Sequence, residues 1–189
     1  MVHRPPKSGV DGPSTPFGGY GRRGGEAVWV ATLSGSRVIV LHHVFRPDNT
    51  VQILEVGAEI PWHACALGHA IVAFLPEGQR ARALAGDLVQ LTGQTKTTRA
   101  ALSRALAQVR QRGYAVEDQE ATVGDAGIAA PIVSRDSVVA GAIGVVGAAD
   151  RLLPPETRDE LVREVLGAAR AVSRDLGAGR GGVVLSALS

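Results

Sequence analysis

Cysteine is nearly absent: Cys65 is the one thiol in 189 residues. No internal disulfide can form, and neither a Cys-x-x-Cys redox pair nor a four-cysteine zinc site can be assembled. A reducing cytoplasm suits such a chain. Long apolar runs are missing too. The longest, Val138 to Ala149, has 12 residues, whereas a membrane-spanning helix needs about 20. Near the start, Arg4 and Lys7 are followed by Pro, Gly and Ser in place of the apolar stretch of an export signal. Charge of one sign is scarce: 20 Lys+Arg face 18 Asp+Glu, a net of +2. The first 25 residues hold Arg4, Lys7, Arg22 and Arg23 against Asp11. The rest is near neutral, too little to argue for the clustered basic face of a nucleic-acid binder.

What the chain does contain is 45% hydrophobic residues, enough at this length for one core. Eleven of the first 25 residues are Gly or Pro, so residues 1–25 are expected to form a disordered arm. Gly19 to Gly24 satisfies G-x-G-x-x-G, yet it precedes a strand pattern and opens no helix, the wrong context for phosphate binding. Residues 179–189 are expected to be a flexible tail, leaving 26–178 as the domain.

Within it, 27–34, 37–45 and 50–55 are β-branched runs separated by Ser34-Gly35-Ser36 and Pro47-Asp48-Asn49, and predict three strands. Residues 63–75 are apolar nearly all round and predict a buried helix stopped by Pro76. A weaker helix is expected over 79–91. A third follows Thr97 or Thr98 as cap, with Leu102, Ala105, Leu106 and Val109 on one stripe and Gly113 as its stop. Its arginines, Arg99, Arg104, Arg110 and Arg112, read as a solvated face. Strands are then expected at 114–118, 127–133 and 138–146, and a long amphipathic helix after Pro154-Pro155. The order βββ-ααα-βββ-α implies an α+β domain: about six strands in one mixed or antiparallel sheet with helices packed on it.

Three segments resemble one family. Gly57 to Leu75 (GAEIPWHACALGHAIVAFL) is similar to the signature G-x-x-x-P-L-H-A-T-A-L-G-K-A of the effector-binding domain of IclR-type transcriptional regulators, with Trp62, Cys65 and His69 as departures. RQRGYAVEDQE at 110–120, followed by Gly124 and by Gly127 to Pro131, resembles a second element, and residues 140–152 a third. The resemblance spans about residues 26–178. It implies a fold related to GAF and PAS sensors, a small-molecule effector, and dimers or tetramers. DNA contact is implied only through a winged helix-turn-helix, which the 25 residues before the first strand cannot build.

For the site, the start of the helix near Pro61 offers unsatisfied N–H groups. His63, Ala64, Cys65 and Gly68 lie there, and Ala64, Ala66 and Gly68 keep side chains small. Either a ligand reaches the backbone amides, or the helix sits close to the sheet. The resemblance implies a floor at Gly127, Ala129, Gly144 and Val146, with Glu117 or Asp118 at the rim. Relatives often carry Cys or Ser where this chain has Gly127, Gly144 and Val146. A roomier, more apolar pocket is therefore expected, suited to an aromatic acid or lactone-like metabolite rather than a small 2-oxo acid; a decayed site is the alternative.

His63, Cys65 and His69 read H-x-C-x-x-x-H, but on a helix His63 lies about 120° from His69, so no metal is expected. Cys65 lacks an arguable oxyanion or orienting group, so no catalysis and no cofactor are expected either. The expected role is an effector sensor, cytoplasmic and homo-oligomeric. Its rivals are a modulator that pairs with a full-length regulator and a GAF-like enzyme.

Overall fold

The computed structural model describes residues 27–44 and 56–177. The expected arm, the Gly19–Gly24 motif, the strand at 50–55 and the tail lie outside them. β1 (Ala27–Ser34) and β2 (Arg37–Val44) form a hairpin around Gly35, whose φ of +59° suits a residue without Cβ. β3 (Glu59–Pro61) follows, then a single 3₁₀ turn, Trp62–Ala64. Next come α1 (Ala66–Ala73), α2 (Glu77–Ala85), α3 (Arg99–Arg112), β4 (Ala115–Asp118), β5 (Asp125–Val133) and β6 (Val139–Ala148). The last elements are α4 (Ala149–Leu152) and α5 (Pro155–Asp175). The six strands make one antiparallel sheet ordered β3-β2-β1-β6-β5-β4.

Local chemistry accounts for α3 at both ends. The Thr98 hydroxyl accepts from the Ala101 amide at 3.3 Å, and Gly113 closes the helix at φ +82°. The first helix departs from expectation. Cys65 is extended (φ −141°, ψ 148°), so the helix begins at Ala66 and the residues before it form the 3₁₀ turn. An all-round apolar segment has no stripe from which a start can be read. α2 ends at Ala85, with Gly86 extended, six residues short of the expected limit.

Strand alternation splits the core into two layers. Ala27, Trp29, Ala31, Val38, Val40, Ala115, Ala129 and Ala142 pack with α1 and α3. Val28, Ile128, Ala130, Ile132, Ile143 and Val145 pack against Leu161, Val165, Ala168 and Ala169 of α5. On its α1 face the centre of the sheet is paved with Ala and Gly, and α1, buried along all eight residues, rests on it.

Candidate functional site

Two cross-strand rows carry half of the sequence-predicted residues onto the α1 face. Trp29 pairs with Gly144, Gly144 with Ala129, and Ala129 with Ala115. In the neighbouring row Ala27 pairs with Val146, Val146 with Gly127, and Gly127 with Glu117. Glu117, Gly127, Ala129, Gly144 and Val146 therefore share one face. Asp118 is exposed and one residue further on, so it belongs to the α5 side, and its carboxylate accepts from the Gln119 side chain at 3.1 Å. Only Glu117 of that pair faces α1, and it is 5% exposed, buried rather than at a rim.

The glycines are explained by close packing. A Cβ on Gly68 would stand 2.1 Å from the Trp62 carbonyl oxygen, so the 3₁₀ turn occupies the space expected for a ligand there. A Cβ on Gly144 would stand 2.5 Å from the Ile128 carbonyl oxygen, and one on Gly127 would stand 3.3 Å from the Ala66 methyl. Ala66 of the helix fills the space over Gly127 and the neighbouring strand fills it at Gly144, so neither glycine adds the room expected of it.

His63, Ala64 and Cys65 are all buried. The His63 Nε2–H donates to the Val89 carbonyl at 2.9 Å, and the His69 Nε2–H to the His63 carbonyl at 2.7 Å. Burial lowers the His69 pKa. The Cys65 sulfur caps α1 by accepting from the Gly68 amide at 3.4 Å. Burial, assisted by the nearby Glu117 and Glu120 carboxylates, pushes the Cys65 thiol up to about 12 against that hydrogen bond. Such a thiol carries almost no thiolate at neutral pH. The three side chains serve packing and capping, and among the described residues no cluster of His, Cys, Asp or Glu is arranged to hold a metal.

The Glu117 Oε1 accepts the backbone N–H groups of Glu120 and Ala121. Burial is the main cause that raises its carboxyl to about 7; the Glu120 charge adds to it, and the two amides and Lys96 oppose it. The folded state therefore holds a proton that the unfolded chain, with its ordinary value of 4.5, releases. Stability falls as pH rises from about 4.5 to 7, by about 3 kcal/mol in all. Glu117→Gln keeps an acceptor for both amides and has no charge to bury. Its unfolding free energy is expected to exceed that of the wild type by roughly 1–3 kcal/mol at pH 8 and to match it near pH 4. Urea unfolding at the two pH values checks this; a pH-independent difference would remove Glu117 as the titrating group.

Several residues were not singled out from the sequence. The Trp29 indole N–H is buried without a partner. The Thr95 hydroxyl donates to the Glu120 carbonyl at 2.7 Å and accepts the amides of Leu91 and Thr92, while the Thr92 hydroxyl donates to the Gln119 carbonyl at 2.6 Å. Lys96 is hydrogen-bonded to the Glu120 carboxylate. This clamp holds the β4–β5 loop beside Glu117 from a distance of about 25 positions along the chain, and no local pattern announces it. A cleft of about 510 Å³ opens elsewhere, lined by Leu33, Ile71, Leu75, Arg82, Ala83 and Val139 among others; none of the expected site residues borders it.

Residues 21–174 match the family model described as the bacterial transcriptional regulator IclR C-terminal domain. The glycerol operon regulatory protein of Streptomyces griseus is 46% identical over 162 residues, covering 84% of this chain and 63% of that protein. Its namesake in Streptomyces coelicolor is 44% identical over 160 residues, with coverage of 84% and 63%. The chain thus spans just under two thirds of the length of these curated relatives. The crystal structure of the Thermotoga maritima IclR superposes with a TM-score of 0.78 at 27% identity, covering 82% of this chain and 63% of that one. These relatives are transcriptional regulators, not enzymes, and no helix among the described residues is long and apolar enough to cross a membrane. On the family model, the relatives and the fold together, the chain belongs to the IclR family of bacterial transcriptional regulators, of which it carries the C-terminal domain.

Proposed function

We propose that this domain is a cytoplasmic sensor that binds a small hydroxylated metabolite of the glycerol type on the sheet face covered by α1, which must draw back from its contact with Gly127 to admit it. Binding is read out through the association of protomers, and transcription follows through the regulator's DNA-binding module. The observation that carries the reading is a pair of buried polar groups on one sheet face. The Trp29 N–H lacks an acceptor and the Glu117 carboxyl is poised near neutrality; the rows between them carry Gly144, Ala129, Gly127 and Val146, with Ala66 of α1 lying over Gly127. An unpaired buried donor costs about 1–3 kcal/mol, which a ligand oxygen would recover. Glu117 accepts from a hydroxyl when ionised and donates when protonated, whereas an anionic ligand would meet its charge. The naming of the Streptomyces relatives for a glycerol operon supports the polyol class. A ligand shifts the assembly equilibrium by its differential affinity for the two arrangements, and no chemical step is needed.

The test is a thermal-shift and calorimetric panel of small polyols and their phosphate esters, benzoates, lactones and small dicarboxylates. The polyol class is expected to raise the melting temperature and to lose at least tenfold in affinity on Trp29→Phe or Glu117→Gln. Stabilisation by benzoates or lactones would restore the apolar ligand expected from sequence. Stabilisation by dicarboxylates alone, or binding indifferent to both substitutions, would overturn the assignment.

A further inference from the structure

The near-neutral net charge conceals a segregation. Between Pro76 and Gly113 seven cationic side chains stand against Glu77 and Asp87, a net of +5, while the other described residues hold seven cations against twelve acids, a net of −5. Lys96 is committed to Glu120. That leaves six arginines, Arg80, Arg82, Arg99, Arg104, Arg110 and Arg112, on the layer formed by α2 and α3. None has a carboxylate partner among the described residues.

α3 has no acidic residue in its 14 positions. Its buried stripe is Leu102, Leu106 and Val109. At 100° per residue, Arg99 and Arg110 flank that stripe on one side, Arg112 lies on the other and Arg104 on the outer face, so guanidinium groups cover the solvent side of the helix. All four are exposed. A helix face that is merely solvated normally mixes signs, as α5 does with five acids and four arginines. Here Arg80 and Arg110 repel one another, and burial and that repulsion together lower the Arg110 pKa. Such an arrangement is stabilised by an anionic partner.

We propose that the α2–α3 face is a docking surface for the phosphate backbone of duplex DNA, independent of base sequence. Two features of the face select this partner among polyanions. Arginine presents a planar fork that matches phosphate, and neutral donors, Gln79, Ser103, Gln108 and Gln111, lie among the cations, as in backbone-positioning contacts. No aromatic residue occurs between Pro76 and Gly113, so unpaired bases have no platform on which to stack. In a transcriptional regulator the polyanion at hand is DNA, and a contact of this kind would add to operator affinity without reading sequence.

The experiment is fluorescence anisotropy of the full chain with a labelled duplex of arbitrary sequence, titrated with salt. Wild-type protein is expected to bind at about 150 mM salt with Kd in the range of roughly 10⁻⁶ to 10⁻⁴ M, and more tightly as salt is lowered. The variant Arg99→Gln, Arg104→Gln, Arg110→Gln, Arg112→Gln is expected to bind at least tenfold more weakly, with a shallower salt dependence. The exposed pair Arg104→Gln and Arg112→Gln should give an intermediate loss. A variant with Arg4, Lys7, Arg22 and Arg23 changed to Gln is expected to bind as the wild type does. The proposal is overturned if the α3 variant binds normally or if the N-terminal variant is the one that loses binding. It is equally overturned if only polyglutamate binds through α3, which would assign the face to an acidic protein.

Discussion

Gly68→Ala is expected to lower the melting temperature by at least about 6 °C or to prevent folding outright. The added Cβ would stand 2.1 Å from the Trp62 carbonyl oxygen, 2.5 Å from its Cα and 2.6 Å from its carbonyl carbon. All three are backbone atoms, so no rotamer change relieves the overlap. The first turn of α1 would have to lift away from the 3₁₀ turn. That movement would strain the hydrogen bond from His69 to the His63 carbonyl and the Cys65 cap on the Gly68 amide. It would also disturb the edge-on contacts of the Trp62 ring with His63 and His69, at centroid distances of 6.0 and 6.3 Å. Overpacking of this severity costs about 3 kcal/mol or more, and at this chain length each kcal/mol is worth roughly 2–4 °C. Gly167→Ala supplies the opposite sign. Gly167 lies within α5 with no atom near its missing Cβ, and alanine there is expected to stabilise by about 0.5–1 kcal/mol. Thermal unfolding of both variants is the measurement. A Gly68→Ala protein melting within 2 °C of the wild type would refute the close approach.

Lys96→Met is expected to destabilise by about 3 kcal/mol. Glu120 is 2% exposed; its Oε1 is held by Lys96, and its Oε2 has no hydrogen-bond partner. Removing the ammonium leaves a buried carboxylate without its counter-charge, which typically costs 3–5 kcal/mol. Lys96 is itself 34% exposed, so water returning to its place moderates the loss towards the lower end. The double variant Lys96→Met, Glu120→Gln has no charge to strand and is expected to recover more than half of the lost stability. Urea unfolding of the two singles and the double completes the cycle. Additive losses would mean that the pair is not coupled. Because the clamp positions the loop that caps the Glu117 carboxylate, the Lys96→Met protein is also expected to bind effector more weakly, whereas a purely global destabilisation would leave the affinity of the remaining folded molecules unchanged.

The helix read most accurately from sequence was α3, since its cap at Thr98, its stripe and its stop at Gly113 are all short-range chemistry. The strands β1, β2, β4, β5 and β6 were legible for the same reason: β-branched runs between turn residues. β3 was not, because three residues carry no period and exist as a strand only through pairing with Arg37 to Ile39. The helix at 63–75 was placed but not bounded, because its apolar residues go all round. Of the candidate site, the residues on β5 and β6 were found through family resemblance, and the structure brings them to one face. The partnerless N–H of Trp29 was invisible, since a tryptophan in a strand pattern looks like any other core residue.

What residue order determined by itself was everything that depends on neighbours: turns, caps, stripes, and the alternation that sends Glu117 and Asp118 to opposite sides. Which of those sides meets α1, whether Gly68 and Gly127 make room for a ligand or for Trp62 and Ala66, and whether scattered arginines gather on one surface were decided only by tertiary packing. The physical reason is range. Dihedral preference and hydrogen bonding between near neighbours act over a few residues, whereas excluded volume and electrostatic fields act through space between segments that the chain itself keeps far apart.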